Sequence, residues 1–385
     1  AALREREDFR AVLKAMREAM VEVQPTVAFR GTNGWAADGQ VVEPQQGMRY
    51  LLSTMLAVTA GRGLSVQEAL ENLTRSAGAD GSRPAGTIYF MRNGDVRSTT
   101  RQWGFAAAVD KLKELGVNAA VIDGQLPQQK ADVAGAMLGS AGFDWPGSGS
   151  SMLPGAICEH LTSTGGTLSY NGGQTPLTAL LRAGAGGSSG TVTEPYAIQA
   201  KFPSPFIHVH YARGATLAEA FYQSVSGPYQ LLVVGDPACR PWARIPEIRV
   251  QGIEAEATLR QNVRITPDGR VDGDEPVRRF EVFLDGVRKV ALPAGSSWEL
   301  PVDELASGWH ELTVVGMTAD LVRSRGAHRV AFEVAGGKRG DFAVTVPAKP
   351  VRLTGSVAVN VACRGAARIA VWHNGRIVGE LNRDR

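Results

Sequence analysis

Several broad classes are excluded by what this chain lacks. Its 385 residues hold three cysteines, Cys158, Cys239 and Cys363. They are far apart and odd in number, so neither a disulfide framework nor a CxxC metal site is indicated. No stretch approaches the roughly 18 consecutive apolar residues that a membrane helix needs, so no membrane span is expected. An excess of one charge is missing as well. A net charge of +3 gives no electrostatic reason to expect nucleic acid or an anionic membrane as a partner. The chain opens on Ala1 without a signal-peptide pattern, which says little about compartment. With 44% hydrophobic residues over this length, two or three domains can each bury a core.

The first 85 residues read as a helical N-terminal segment. Phe9, Val12, Leu13, Met16 and Met20 form one stripe over Glu7–Val23, the spacing of an amphipathic helix. Gly47–Ala60 and Ser65–Ser76 predict two more, with a Gly-rich loop, Gly31–Gln46, before them. From residue 86 to 245 strand and helix patterns alternate. Thr87–Met91, Ala119–Ile122 and Asp132–Leu138 read as strands, and Trp103–Leu115 reads as a helix. Thr175-Pro176 predicts an N-cap followed by an N1 proline. Thr216 and Glu219 predict a capping box. Such alternation implies crossover connections and a mainly parallel sheet with helices on both faces.

Three apolar strands in this region end on polar residues: EHLTS after Gly155, TEP after the Gly-rich Gly184–Gly190, and GDP after Gln230. In open α/β sheets the rim at the carboxyl ends of the strands is where ligands bind. The three clusters are therefore expected at one edge. His160, Thr162, Ser163 and Glu194 are the candidate catalytic residues, with His210 and Asp236 as candidate binding residues. His160 would serve as base or polariser. His208 and His210 (IHVH) read as a strand with both rings on one face. Together with Glu194 they make an alternative zinc set, although no third-ligand spacing supports it. Outside that alternative no metal and no cofactor is expected. Gly184–Gly190 (GAGGSSG) follows a helix and enters a strand, the reverse of a dinucleotide fingerprint, and it lacks the P-loop Lys. Its glycines are expected to permit close packing.

Beyond Pro246 the pattern becomes short alternating strands without helices, which indicates immunoglobulin-like β-sandwich modules. Two hairpins resemble each other, Arg279–Leu292 and Arg368–Leu381. Each centres on a type I′ turn signal, Asp285-Gly286 and Asn374-Gly375. The expected divisions are 246–347 for a complete module and 348–385 for the start of a second, incomplete one.

Taken together, Gly47–Gly86, PGAICEHLTSTGG, GTVTEP, FIHVHYARGATLAEAF and QLLVVGDP resemble a family of uncharacterised bacterial conserved hypothetical proteins, over about Gly47–Trp242. That family is similar, more distantly, to the caspase/gingipain-like (clan CD) peptidase domains. The resemblance implies an α/β caspase-like fold over 86–245. A catalytic His would follow the strand Ala131–Ser140, and a nucleophilic Cys would end the strand Ala156–Ser163. This chain departs at both points. It has Leu138-Gly139-Ser140 where a His-Gly step belongs, and Cys158 sits deeper in its strand than a nucleophile would. The expected function is thus a peptidase-like domain of an exported multidomain protein without the Cys-His dyad. It would be a pseudo-enzyme or a hydrolase of different chemistry. The alternatives are a non-catalytic surface adhesion protein, whose rim binds a peptide or glycan, and a metal-dependent hydrolase using His208, His210 and Glu194. An extracellular or cell-envelope location is expected.

Overall fold

The computed structural model describes residues 54–227, 230–273, 275–320 and 322–335, residue 358, and short strands at 34–35, 41–42, 342–345, 360–363, 368–373 and 376–382. The helix expected over Glu7–Val23 lies outside them, as does most of Gly31–Gln46. Two compact units emerge, 1–245 with 320–324, and 246–319 with 325–385.

The first unit is mixed α/β. Its strands are β1 (Thr87–Arg92), β2 (Asn118–Asp123), β3 (Val133–Leu138), β4 (Met152–His160), β5 (Gly187–Thr191) and β6 (Leu231–Gly235). They join in the order β2-β1-β3-β4-β5-β6. All neighbours are parallel except β5 and β6. The helices are α1 (Val66–Gly78), α2 (Val96–Gln102), α3 (Phe105–Glu114), α4 (Leu177–Arg182), α5 (Ile207–Ala212) and α6 (Leu217–Ser224). Side chains alternate across a strand, so the sheet carries two cores. Ile88, Phe90, Met137 and Ile157 pack under α3, α5 and α6. Tyr89, Met91, Ala136 and Cys158 pack under α1 and α4.

Local chemistry sets several boundaries. Ser65 and Glu68 form a capping box that starts α1, and Thr216 and Glu219 form the expected one at α6. At α4 the N-cap is Pro176 rather than Thr175. Thr175 is drawn away because its hydroxyl accepts the backbone N–H of Phe143 at 3.1 Å. Of the helix expected over Gly47–Ala60, residues 47–53 lie outside the described residues, and 54–60 are not helical. Met55 bridges Val234 in parallel, and its carbonyl accepts the Gly235 N–H at 2.9 Å. That pairing covers the outer edge of β6, whose backbone groups would otherwise lack partners. Glycines of the Gly184–Gly190 run allow close approach, as expected. A side chain on Gly187 would meet Leu217 of α6, and one on Gly190 would strike the backbone of Gly165 and Gly166 at 2.4 Å.

Two expectations are overturned. IHVH is the helix α5, not a strand, and His208 and His210 are both buried in it. Residues two apart on a helix point to different sides, so the shared-face argument lapses. The second concerns Asp236. Because β6 runs against β5, with Gly187 opposite Gly235 and Thr191 opposite Leu231, GDP lies at the opposite edge from EHLTS and TEP. Between β5 and β6 the chain passes through α5 and α6, which pack on one another and return it to the edge it left.

The second unit is a β-sandwich. Its strands are β7 (Glu247–Gln251), β8 (Thr258–Leu259), β9 (Val263–Val271), β10 (Glu275–Pro276), β11 (Arg279–Leu284), β12 (Val287–Pro293), β13 (Trp298–Leu300), β14 (Gly308–Met317) and β15 (Arg325–Val334). One sheet runs β8-β15-β14-β11-β12; the other runs β10-β9-β13 with β7 on β9. Ile265, Phe280, Val282, Leu312, Val314 and Phe332 fill the space between them. Asp285 and Gly286 have φ of 50° and 74°, the left-handed pair a type I′ turn requires. The second hairpin pairs β18 (Arg368–His373) with β19 (Arg376–Asn382), after β16 (Phe342–Thr345) has paired with β17 (Asn360–Cys363). Its ladder shifts register after Val371, and the first hairpin's shifts at the corresponding place, after Val282.

The Asp285 carboxylate has a further role. One oxygen accepts the Glu311 N–H at 2.9 Å and the other meets His310 Nδ1 at 2.7 Å. His310 Nε2 lies 2.8 Å from the Ala306 carbonyl, and the ring stacks on Phe332. An ionised carboxylate and a carbonyl can only accept, so both contacts are satisfied when the ring is an imidazolium, and they favour that form. Burial opposes that charge, but Ala306 and Asp285 outweigh it and the His310 pKa is raised. A raised folded pKa gives stability that is full below the ordinary His value and lost as pH rises through the folded value. In an NMR titration His310 should therefore deprotonate above pH 6.5. D285N, which keeps a residue tolerant of the left-handed turn, should bring its pKa down. An unchanged His310 pKa in D285N would refute the pairing.

Candidate functional site

The strand order β2-β1-β3 places a topological switch point between β1 and β3, where an open α/β sheet ordinarily opens a crevice. Here that crevice is filled. A side chain on Gly139 would lie 2.4 Å from the Ser98 backbone. Asn93 Nδ2 donates to the carbonyls of Gly124 and Gly139 at 3.1 and 3.2 Å, and Ser98 Oγ donates to the Met91 carbonyl at 2.9 Å. The accessible part of the rim is displaced to the loops that follow β4 and β5. Gly166 N–H donates to the Thr191 carbonyl at 3.0 Å, and Thr167 Oγ1 donates to the Val192 carbonyl at 3.2 Å. These bonds join the two loops along the rim. Tyr170, Val192, Tyr196 and Ile198 are exposed on them, and Tyr196 is held at φ 57°.

Beneath the rim lies a buried charged group that the sequence reading passed over. Glu159 and Arg101 are both fully buried. Glu159 Oε1 is 3.5 Å from Arg101 Nη1, and Oε2 accepts Ser189 Oγ at 2.6 Å. Arg101 Nη2 also donates to the Leu138 carbonyl. One guanidinium and one carboxylate thus tie α2, β3, β4 and β5 together. Burial penalises each charged form, pushing Glu159 up to about 7 and Arg101 down to about 10, while each partner and Ser189 oppose the shift. His208 stands on the same side of the sheet, edge-on to Phe90 at 5.5 Å and over Gly135. Burial, and then the Arg101 charge, lower its pKa to about 3.

The candidate residues fall into separate places. His160 and Thr162 are brought together, both buried, and a methyl on Gly165 would lie 2.8 Å from His160 Nε2 and 2.4 Å from Thr162 Oγ1. His160 is edge-on to Phe143 at 5.5 Å. Burial, then Arg101, lower its pKa to about 3, so the ring is neutral. Ser163 follows at the half-buried rim. Glu194 is exposed on the next loop, and its carboxylate accepts the Tyr196 N–H at 2.8 Å; it does not join His160. Asp236, at the other edge, accepts the Ala238 N–H at 2.9 Å. His208, His210 and Glu194 do not assemble, and no group that could hold a metal ion occurs among the described residues. Cys158 is fully buried, and burial, with Glu159 adding to it, pushes its thiol well above the ordinary range.

Sequence reasoning missed Arg101, Glu159, Ser189 and Gln174. A charged residue inside the apolar run AICEH was the available signal, since Glu is almost never fully buried unless paired.

No family model matches this chain, and no curated protein matches it. Among solved structures it is similar to fibronectin(III)-like modules of Clostridium thermocellum CbhA, at 14% identity and TM-score 0.18, over 23% of this chain and 100% of that one. It is also similar to an endo-β-1,4-mannanase from Thermotoga petrophila, at 9% identity and TM-score 0.20, over 65% of each chain. A β-glucosidase from Listeria innocua matches at 11% identity and TM-score 0.21, over 71% of this chain and 50% of that one. This chain thus spans less than two-thirds of either glycosidase.

Two outcomes are expected. R101M should destabilise the fold by about 3–5 kcal/mol, because it strands a buried carboxylate, whereas R101M/E159L should cost less than R101M alone. Urea unfolding measures both, and a double variant at least as unstable as R101M contradicts the pairing. In native protein, iodoacetamide should label Cys363 and spare the buried Cys158 and Cys239, as read by peptide mass mapping.

Proposed function

We propose that the α/β unit is a peptidase-like scaffold, similar to the caspase/gingipain type, that performs no thiol chemistry and holds an extended peptide along its rim. The observation that carries this reading is the burial of Cys158. A thiol must be partly exposed and lie near a base or positive charge to act as a nucleophile. Cys158 has zero exposure, a raised pKa and a neutral His160 two residues on. The exposed Tyr170 and Tyr196 support a binding role, since tyrosine supplies a large amphipathic contact area at low entropic cost. The β-sandwich would then act as a spacer.

A second reading is favoured by one feature, the side-by-side placement of the Thr162 hydroxyl and the neutral His160 ring at Gly165. That pair has the composition of a hydroxyl nucleophile and its base, although both side chains are fully buried and not hydrogen-bonded to one another, so this reading requires the rim to open.

A screen of fluorogenic peptide amides and esters, run beside a peptide-binding array, tests both. The proposal expects no turnover, with array binding weakened at least several-fold in Y170A/Y196A and unaffected by C158A. Turnover abolished by C158A would overturn it. Turnover that survives C158A and is abolished by T162V would establish the second reading instead.

A further inference from the structure

At the end of β4 two successive backbone donors converge on one oxygen. The N–H groups of Ser163 and Thr164 both point at Gln174 Oε1, at 2.7 and 3.3 Å. Paired backbone donors of this kind recognise the oxygen of a carboxylate or a carbonyl. Their occupant here is a side-chain amide eleven residues further along the same chain. Three polar atoms of the preceding residues have no hydrogen-bond partner within the protein: His160 Nδ1, His160 Nε2 and Thr162 Oγ1, on side chains with zero exposure. Buried polar groups are ordinarily satisfied, so these three atoms leave unused hydrogen-bonding capacity in the residues that lead into the donor pair. Arg62 adds a charge. Its Nη2 donates to the Gln174 main-chain carbonyl at 3.3 Å, while its buried Nη1 has no partner.

We infer that Ser163 and Thr164 form a carboxylate-binding cradle, that its ligand is the C-terminal carboxylate of a peptide, and that Gln174 occupies it as an internal competitor. This rests on the peptide-binding reading of the rim. The positive charge of Arg62 selects a carboxylate over a neutral carbonyl. Withdrawal of Gln174 moves a loop whose tip, Ser169, Tyr170 and Asn171, is exposed, and it works against the bond that the Thr164 hydroxyl donates to the Gly172 carbonyl at 3.1 Å. A ligand that displaces the Gln174 amide gives back two hydrogen bonds and gains a charge-assisted pair. Its apparent affinity is reduced by the fraction of molecules in which the cradle is filled.

The test uses the full chain, ¹⁵N-labelled, titrated with N-acetylalanine and, separately, with its neutral amide. Binding is read at the Ser163 and Thr164 amide signals. N-acetylalanine should move both signals, and its amide should bind more weakly. Q174A should bind N-acetylalanine about tenfold more tightly than the parent chain, since removing the competitor frees the donors. Q174E keeps an acceptor on the cradle and so preserves the loop; it should bind about tenfold more weakly, because its own carboxylate competes better. A role confined to fastening the loop predicts no such opposition between the two variants. Equal affinity in Q174A and Q174E, or Ser163 and Thr164 signals unmoved by N-acetylalanine in every form, overturns the cradle. Array binding that remains sensitive to Y170A/Y196A would leave the rim reading standing in that event.

Discussion

A single buried carboxylate sets the arrangement of the α/β unit. Glu159 sits inside the central strand β4, where a lone charge would cost several kcal/mol. The chain meets that cost with Arg101 from α2 and Ser189 from β5, and Arg101 also reaches the end of β3. Four elements are thereby fixed at the edge that carries the accessible loops. Removing one member would leave the other unpaired in an apolar interior, so the group stands or falls together. The rim above it inherits that rigidity. Its loops are then free to expose tyrosines and to spend backbone N–H groups on side-chain partners instead of on strand pairing.

The alternation of strand and helix patterns made much of the fold legible from sequence. Ser65–Ser76, Thr87–Met91, Trp103–Leu115 and the Thr216–Glu219 box all stand close to where their periodicity or capping chemistry put them. The Asp285-Gly286 turn does as well. Failures came where a local pattern was ambiguous. IHVH alternates as a strand would, yet every one of its positions is buried in α5, so alternation there carried no information about faces. The opposite edge of Asp236 could not be read from GDP itself. It depends on the β6 direction, which is set by two packed helices and not by the strand's own residues.

The candidate site was legible only in part. His160 and Thr162 lie near one another, because both flank Gly165, while Glu194 was expected to join them and does not. Its carboxylate is taken by the Tyr196 N–H two residues on, a local bond that an acidic residue before Pro195 makes easily. Gln174 drew no notice in the sequence, because a single glutamine before Thr175-Pro176 has no pattern. Its importance comes from a loop closure that only three dimensions reveal.

The claim on which the rest depends is that the Arg101–Glu159 pair locks the carboxyl end of β4 and holds the rim still. Native-state hydrogen exchange at the amides of Glu159, His160 and Leu161 tests it most directly. The account predicts that in the parent chain these amides exchange only through global unfolding. In R101M they should exchange through a local opening that leaves the core of α3 protected. Identical protection of these amides in the parent and in R101M, once corrected for any difference in global stability, would contradict it.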